Sequence, residues 1–317
     1  MSINNLGKTL VIANPTAHSG QGAQGAQFVE RFLTHFKSAT DSFEMYLTKS
    51  MGDATDKAKT AASFDTVIAL GGDGVIHEII NGLMTIDKAL RPVLGIIPLG
   101  SGNDYARTLG MALNKPKDAL TQLMQGPRRP VELGLIDNGS KKEYFCETLS
   151  FGLDAAIALD TTKKREIGTT EEGEELFIKS GIDIFSKHKG GYNIKAKFDD
   201  EKPFEFKDMV FAIHVGPSYG GGFKVTPNAD PTDGLLDICY NQKTPSIPRT
   251  LALFALAKLE RHTSSSILAF TQAKHIEVEY LEDDIPCQAD GEEILGNKFN
   301  IDVVPNALTV ITGETSW

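Results

Sequence analysis

The sequence predicts two domains: an α/β domain with a parallel sheet flanked by helices over residues 1–132, and a β-rich, sandwich-like domain over residues 133–317. In the first part, short apolar segments alternate with segments in which apolar residues recur at helical spacing. In the second part, segments of alternating polarity separated by turn residues predominate. A change of period along the chain therefore predicts a change of fold class.

The first domain is predicted to alternate strand and helix. Its strands are expected at 9–13, 42–47, 66–70 and 93–97, and its helices around Phe28–Phe36, from about Asp53, and around Ile76–Leu83. Strands connected through helices run parallel and are covered on both faces. Ligands of such sheets bind at the carboxyl ends of the strands.

A Gly71-Gly72-Asp73-Gly74 turn joins the third strand directly to the third helix. Glycine lets the backbone approach a phosphate closely, and the first amides of a helix favour an anion. Asp73 can orient a magnesium ion or accept a proton from an attacking hydroxyl. The alternative is an ordinary turn, since Gly and Asp are common in turns. His77 is predicted to lie on the surface of the following helix.

Two more polar loops follow strands at the same predicted edge. Asn14–Gly22 comes after the first strand and offers hydroxyl and amide donors at a helix start. Pro98–Asp104 comes after the fourth strand, and its Ser101 and Asn103 can hydrogen-bond a nucleotide, while Asp104 is interpreted as a helix N-cap. Three such loops at one edge predict a shared nucleotide site.

The second domain is predicted to contain mostly strands. They are expected at 192–198, 204–215, 235–240, 275–280 and 299–304, with helices at 171–189 and 247–261. The apolar faces of these helices are interpreted as core, with a border to an apolar substrate cleft as the alternative.

Two carboxylate-rich turns stand out in this domain. The segment from Asp230 to Leu235 places Asp230 and Asp233 three residues apart, beside the carbonyl of Leu235. Such oxygen ligands suit a hard divalent cation, and a plain acidic turn is an equally good reading. In the turn Asp290–Glu293 one carboxylate is expected to act as a general base, but spacing does not choose among them.

Composition excludes several classes. A formal net charge of -10 argues against broad electrostatic attachment to nucleic acid or anionic lipid, although local basic spots remain possible. Cys146, Cys239 and Cys287 lack CxxC spacing, which disfavours a disulfide framework or a zinc site and favours a reducing cytosol. The apolar stretch 251–259 is far shorter than the roughly 20 residues of a membrane-spanning helix. We therefore expect a cytoplasmic protein, or one peripheral at the inner face of the membrane.

With NPTAHSG, GGDGVIHEIINGL, PLGSGNDYAR, PTDGLLD and DGE in this order, the chain resembles the diacylglycerol kinase catalytic-domain family, which includes bacterial soluble lipid kinases and sphingosine kinases. GGDG alone is shared with NAD kinases and 6-phosphofructokinases, so the resemblance depends on SGND and DGE. It implies ATP and magnesium in a cleft between the two domains. It also implies phosphoryl transfer to the hydroxyl of a lipid such as diacylglycerol.

The resemblance also assigns residues to roles. With Asn103 from the loop argument, the expected nucleotide contacts are Asn14, Ser19, Gly20, Thr48, Gly71, Gly72, Asp73, Gly74, Ser101 and Asn103. Asp230, Asp233 and the carbonyl of Leu235 would form a structural or regulatory magnesium site. Glu292 matches the family's proposed proton acceptor, and Asp73 is its rival.

The chain departs from the family pattern at three places. Val75 stands where threonine is usual, which removes one hydroxyl contact to the nucleotide. Glu132 stands where aspartate is common, and the NPTAHSG loop is a residue or two longer than the commonest pattern. A kinase of a soluble substrate, such as NAD or a sugar phosphate, and a nucleotide-binding regulator without turnover are the alternatives. The lipid and the oligomeric state, including a homodimer, stay open.

Overall fold

The computed structural model describes residues 4–168, 173–187, 190–283, 285–315 and 317. It divides the chain into two units. The first comprises Met1–Glu132 together with Asn306–Trp317, and the second comprises Leu133–Pro305. The sequence had placed residues 306–317 with the second domain, whereas in the structure this last segment returns to the first unit.

The first unit alternates strands and helices. Its elements are β1 (Lys8–Ala13), α1 (Ala17–His35), β2 (Ser42–Leu47), α2 (Asp53–Lys59), β3 (Thr66–Gly71), α3 (Asp73–Leu83), β4 (Val93–Pro98), α4 (Asp104–Thr108) and α5 (Pro116–Gln125). The sheet has the order β2-β1-β3-β4, and all three pairings are parallel. Every residue of the inner strand β3 is buried, while the edge strand β2 is mostly exposed or half-buried. The predicted α/β architecture is confirmed.

The second unit contains mostly strands. Its elements, with the two strands that connect the units, are β5 (Arg128–Asp137), β6 (Lys142–Phe145), β7 (Thr148–Phe151), α6 (Gly152–Glu166), α7 (Gly173–Lys187), β8 (Tyr192–Phe198), β9 (Phe204–Asp208), β10 (Phe211–His214), β11 (Leu236–Asn241), α8 (Ile247–Lys258), β12 (Leu268–Ala273), β13 (His275–Tyr280), β14 (Cys287–Ala289), β15 (Glu292–Glu293) and β16 (Lys298–Ile311). The predicted helix at 171–189 corresponds to α7, and its ends lie outside the described residues. Helix α6 was not predicted, because its apolar and polar residues are not clearly segregated.

Two antiparallel sheets build this unit. One has the order β12-β11-β10-β7-β14-β15, and the other joins the first part of β16 to β13, β8 and β9. Alternate residues of β10 point to opposite faces: Phe211 and Ile213 enter the core shared by the two sheets, whereas Ala212 packs with α6, α7 and α8. The predicted β-sandwich is confirmed, with a layer of helices on one outer face.

The prediction of one strand at 204–215 is wrong. The segment forms two strands, β9 and β10, that belong to different sheets. The Asn241 side chain holds the break, because its Oδ1 accepts the amides of Met209 and Val210 at 2.7 and 3.0 Å while its Nδ2 donates to the carbonyl of Lys207 at 2.8 Å. A buried amide from a distant strand therefore satisfies the backbone where the chain changes sheet.

Strand β16 is much longer than its predicted span of 299–304. Its first residues pair antiparallel with β13 in the second unit, and Val310 pairs parallel with Leu94 of β4 in the first. The amide of Thr312 then donates to the carbonyl of Pro127 at 3.1 Å. These backbone bonds account for the return of the last segment to the first unit. In the described part of the chain, no helix combines the length and apolar character needed to cross a bilayer.

Two carboxyl groups are fully buried in the second unit. Burial raises the pKa of Asp154 to about 7, although Ser150 and Tyr219 donate hydrogen bonds to it. Burial also raises the pKa of Asp208 well above its ordinary value, and the charge of Asp154 raises it further. The carboxyl of Asp208 lies against Gly152, where a side chain would collide with it. Both acids are therefore best accommodated in the protonated form.

This burial predicts a loss of stability as pH rises. An aspartate in the unfolded chain titrates near pH 3.9, whereas Asp154 in the folded protein titrates at about pH 7. Between these values the folded state binds the extra proton, so the free energy of unfolding falls by about 1.4 kcal/mol per pH unit for this group. We expect Asp154→Asn to flatten the dependence of Tm on pH between pH 4 and 7. The exposed Asp200→Asn is the control, and parallel profiles for wild type and Asp154→Asn would contradict the assignment.

Candidate active site

The carboxyl ends of the four parallel strands coincide. Ala13 pairs with both Leu47 and Leu70, and Gly71 pairs with Pro98. One further backbone bond continues each ladder past the strand ends: Thr48 to Ala13 at 2.9 Å, Asn14 to Leu70 at 2.9 Å, and Leu99 to Gly71 at 2.8 Å. The three predicted loops and Thr48 therefore lie at the same edge of the sheet.

Two of these loops touch through their glycines. A Cβ atom on Gly100 would lie 2.6 Å from the Cα of Gly72, and one on Gly72 would lie 3.3 Å from the Cα of Gly100. Gly71 has a positive φ of 155°, and a Cβ there would lie 2.5 Å from Cγ1 of Val75. The glycines are therefore required by backbone contact between the loops as well as by the sharp entry into α3.

Asp73 links the same two loops. It is the first residue of α3 and is half-buried, and its Oδ2 accepts the backbone amide of Asn103 at 2.7 Å. The bond fixes the orientation of the carboxylate and leaves it at the edge of the sheet. Since α3 begins here without a side-chain cap, its first backbone amides form a partly positive helix end beside Asp73.

The structure gives Asn103 a different place from the predicted one. Its side chain is buried, and Nδ2 donates to the carbonyl of Gly100 at 2.6 Å and to Oδ1 of Asn114 at 3.2 Å. It therefore holds the loop from within. Asp104 is not the N-cap: that position belongs to Asn103, and Asp104 lies 3.9 Å from Nε of Arg107. Asn114, which also accepts the Gly100 amide at 3.1 Å, was missed because only the fold brings it to this loop.

The loop after β1 turns sharply before α1 becomes regular. Oδ1 of Asn14 accepts the amide and the hydroxyl of Thr16 at 3.0 and 2.8 Å. His18, Ser19 and Gly20 all have positive φ angles, of 47°, 55° and 89°. Ser19 and Gly20 are exposed, whereas Asn14 and Thr48 are half-buried. The residues assigned to phosphate thus surround an accessible stretch of backbone.

The interior of this unit corrects one further expectation and places two of the departures from the family pattern. His77 is buried, and its Nε2 lies 3.2 Å from Nδ2 of Asn81, so the prediction of a helix-surface position is wrong. Val75 is buried against Gly71, where its methyl groups fill space. Glu132 is buried on β5. The prediction for His77 failed because the sequence could not show which face of α3 packs in the interior.

The acidic loop of the second unit forms a turn. Oδ1 of Asp230 accepts the amide and the hydroxyl of Thr232 at 3.0 and 2.6 Å, and Oδ1 of Asp233 accepts the amide of Leu235 at 2.9 Å. Burial raises the pKa of the nearby Asp237 to about 6, and the charges of Asp233 and Asp230 raise it further. Among the described residues, no group of three or more His, Cys, Asp or Glu side chains is arranged to hold a metal. The predicted ligands Asp230, Asp233 and the carbonyl of Leu235 are not such a group, because one of the three is a backbone oxygen.

Asp290 has a role that spacing did not reveal. Its carboxylate accepts three successive backbone amides: Cys146 at 2.8 Å on Oδ2, and Glu147 and Thr148 at 3.0 Å on Oδ1. Asp290 and Gly291 have positive φ angles of 50° and 95°, and the turn delivers the chain into β15 at the half-buried Glu292. Asp290 thus anchors the turn, and the role of Glu292 as proton acceptor stays a prediction.

Two family models cover most of the chain. Residues 8–136 match the diacylglycerol kinase catalytic domain, and residues 148–312 match the YegS C-terminal NAD kinase beta sandwich-like domain. The chain belongs to this lipid kinase family. The resemblance inferred from the motifs is thereby confirmed.

Relatives extend over nearly the full length of the chain. A diacylglycerol kinase of Bacillus subtilis is 29% identical over 89% of this chain and 88% of its own length. A probable lipid kinase YegS-like protein of Chromohalobacter salexigens is 29% identical over 98% of this chain and 94% of its own length. The fold also matches a diacylglycerol kinase structure from Bacillus anthracis with a TM-score of 0.76, at 24% identity, over 99% of this chain and 98% of that one.

The anchoring bonds of Asp290 yield a prediction for this lipid kinase family member. We expect Asp290→Ala to lower the free energy of unfolding by about 3 kcal/mol or more, because three amides lose a charged acceptor. The exposed Glu293→Ala, in the same hairpin, is the control and is expected to change it by less than about 0.5 kcal/mol. Urea denaturation of the three proteins measures the difference. An Asp290→Ala protein as stable as the control would show that the amides find other acceptors.

Proposed function

We propose that this protein is an ATP-dependent lipid kinase that transfers the γ-phosphoryl group to a hydroxyl of a lipid such as diacylglycerol. Membership of the lipid kinase family supports the reaction class. The observation that carries the proposal is the position of Asp73, which is held by the amide of Asn103 between two glycine loops in direct contact. Such an arrangement offers a phosphate both close backbone approach and a fixed carboxylate.

The nucleotide contacts in this proposal lie around the sheet edge. Asn14, Thr48, Gly71–Gly74 and Ser101 are the inner contacts, and the exposed Ser19 and Gly20 are the outer ones. Of the two contacts expected from the loop 98–104, Ser101 is kept in this proposal, whereas the Asn103 side chain is engaged inside the loop. The amides at the start of α3 would stabilise the equatorial oxygens of the transferred phosphoryl group.

Phosphoryl transfer needs positioning and charge stabilisation more than covalent chemistry. The lipid hydroxyl must also lose a proton, and Asp73 and Glu292 are the two candidate acceptors. Asp73 already accepts a hydrogen bond from the amide of Asn103, which fixes the direction of its carboxylate and suits it to an orienting role. Glu292 belongs to the other unit and follows the rigidly anchored Asp290, which suits it to a fixed position as base.

Magnesium fits the donor set of the acidic loop. Asp230, Asp233 and the carbonyl of Leu235 would hold it, since hard cations prefer carboxylate and carbonyl oxygens. A bound ion would neutralise the negative charge that accumulates between Asp230, Asp233 and Asp237. We propose this as a structural or regulatory site, distinct from the magnesium that accompanies ATP.

Labelled ATP and a lipid extract test the reaction. We expect label in an organic-soluble product, which mass analysis then identifies. Label in a water-soluble product would instead support a kinase of a soluble substrate, and no transfer in the presence of ATP binding would support a regulator. Phosphorylation of detergent-dispersed diacylglycerol that requires both ATP and magnesium would identify ATP as the phosphoryl donor and magnesium as the required ion.

Asp73→Asn is expected to reduce kcat by at least about a hundredfold while Tm changes little, because the amide oxygen still accepts the Asn103 bond. The matched control is Asp65→Asn. Asp65 accepts the amide of Lys8 at 2.7 Å at the opposite end of β3, so both substitutions neutralise an acid that accepts a backbone amide. Near-normal turnover in Asp73→Asn would remove Asp73 from the mechanism.

Asp233→Ala is expected to abolish any rise of Tm on adding magnesium in the absence of nucleotide. The substitution removes a charged ligand, so the stabilisation that comes from binding the folded state alone is lost. Asp200→Ala, an exposed acid elsewhere in the unit, should keep the wild-type response. Identical magnesium titrations of all three proteins would exclude the loop as an ion site.

A further inference from the structure

Helix α8 is apolar on both of its faces. Leu253 and Ala257 are buried against the core of the second unit. On the opposite side Leu251 is 38% exposed, Leu256 37% and Leu259 62%. A helix that is hydrophobic all round is normally covered on both sides. In the described part of the chain, the outward face of α8 is open to solvent.

Four of the exposed residues form one stripe along the helix and its last turn. Ala252, Ala255, Leu256 and Leu259 are all exposed, and they follow the spacing i, i+3, i+4 and i+7 that places side chains in a line. This line is hereafter the α8 stripe. A contiguous exposed apolar surface of this kind marks a docking site for a protein or a membrane.

The neighbouring helix supports the α8 stripe. Phe254 of α8 packs against Phe177 and Phe185 of α7, with ring centroids 6.4 and 6.1 Å apart. On the other side of α7, Ile178 and Ile182 are 46% and 55% exposed and lie one turn apart. Both helices thus share a buried aromatic contact and each carries exposed branched aliphatic side chains.

Charge indicates what covers the α8 stripe. Arg249, Lys258 and Arg261 are exposed at the ends of the helix, in a chain whose formal net charge is -10. The acid among them, Glu260, is paired with Lys224 at 2.8 Å. The surface is therefore locally basic and apolar at once, which complements an anionic bilayer interface. A second copy docked symmetrically would bring identical basic groups face to face.

We propose that the α8 stripe docks this protein on an anionic membrane surface, with the helix lying in the plane of the interface. The leucines enter the boundary between headgroups and acyl chains, and Arg249 and Arg261 contact lipid phosphates. The inference deepens the proposed function, because it rests on that function for the identity of the lipid that the enzyme meets there. Binding itself needs neither nucleotide nor catalysis.

Vesicle sedimentation without ATP tests the docking. Wild type is expected to bind mixed phosphatidylglycerol and phosphatidylcholine vesicles, to bind pure phosphatidylcholine vesicles weakly, and to be released by high salt. The double substitution Leu256→Ser with Leu259→Ser should weaken binding roughly tenfold or more. The matched control is Leu90→Ser with Leu281→Ser, two leucines of comparable exposure elsewhere, which should bind like wild type.

Substitution of two arginines separates the electrostatic contribution to vesicle binding from the apolar contribution of the leucines. Arg249→Gln with Arg261→Gln should weaken binding to the anionic vesicles and reduce its salt dependence, whereas Lys117→Gln with Lys202→Gln should not. Equal binding by the leucine variant and its control would overturn the proposal. So would a wild-type dimer that this variant converts to monomers while its vesicle binding stays unchanged, because the α8 stripe would then join two copies.

An assay with a water-soluble substrate distinguishes a failure of the docking proposal from a failure of the proposed kinase activity. Phosphorylation of monomeric short-chain diacylglycerol in solution should be equal in wild type and in the leucine variant, since α8 carries no proposed catalytic residue. Turnover of this substrate by a wild-type protein that does not bind vesicles would contradict the docking proposal and support the proposed kinase activity. Vesicle binding that depends on the α8 stripe, with no lipid phosphorylated, would support the docking proposal and contradict the proposed function.

Discussion

The contact between Gly72 and Gly100 is the constraint on which the first unit's candidate site depends. The two loops approach so closely that a single methyl group on Gly100 would displace the backbone. The bond from the Asn103 amide to Asp73 crosses the same contact and is charge-assisted, a class worth roughly 1.5 to 3 kcal/mol. Together they fix a carboxylate beside the start of α3. Positioning of this kind is what phosphoryl transfer requires from a protein.

In the second unit, polar side chains from distant parts of the chain bind backbone groups at the points where strands begin or end. Asn241 satisfies the backbone where β9 ends and β10 begins, and Asp290 gathers three amides from the segment that leads into β7. Each does so from a distant part of the chain. The unit also buries Asp154 and Asp208, whose neutral forms are the ones that its interior accepts. A β-rich domain with many short strands thus relies on a few buried acids and amides at its breaks.

The helical layer of this unit connects the fold to the proposed lipid substrate. Its inward residues complete the core over the six-stranded sheet, and its outward residues form a locally basic, apolar surface on a strongly acidic chain. In the proposed function the nucleotide binds from water and the lipid is held in a bilayer, so the two substrates are met by different surfaces. The proposed nucleotide contacts belong to the first unit and the α8 stripe to the second.

The sequence by itself determined the strand and helix order of the first unit, the three loops at one edge, and the family, because local periodicity and glycine turns are written in neighbouring residues. It could not show that Asn103 is buried, that Asp290 is an anchor, or that residues 204–215 divide between two sheets. Those outcomes depend on Asn114, on the amides of 146–148 and on Asn241, which lie far away along the chain. Only the tertiary structure brings a donor to a distant acceptor, and so only it decided which polar side chains anchor the backbone.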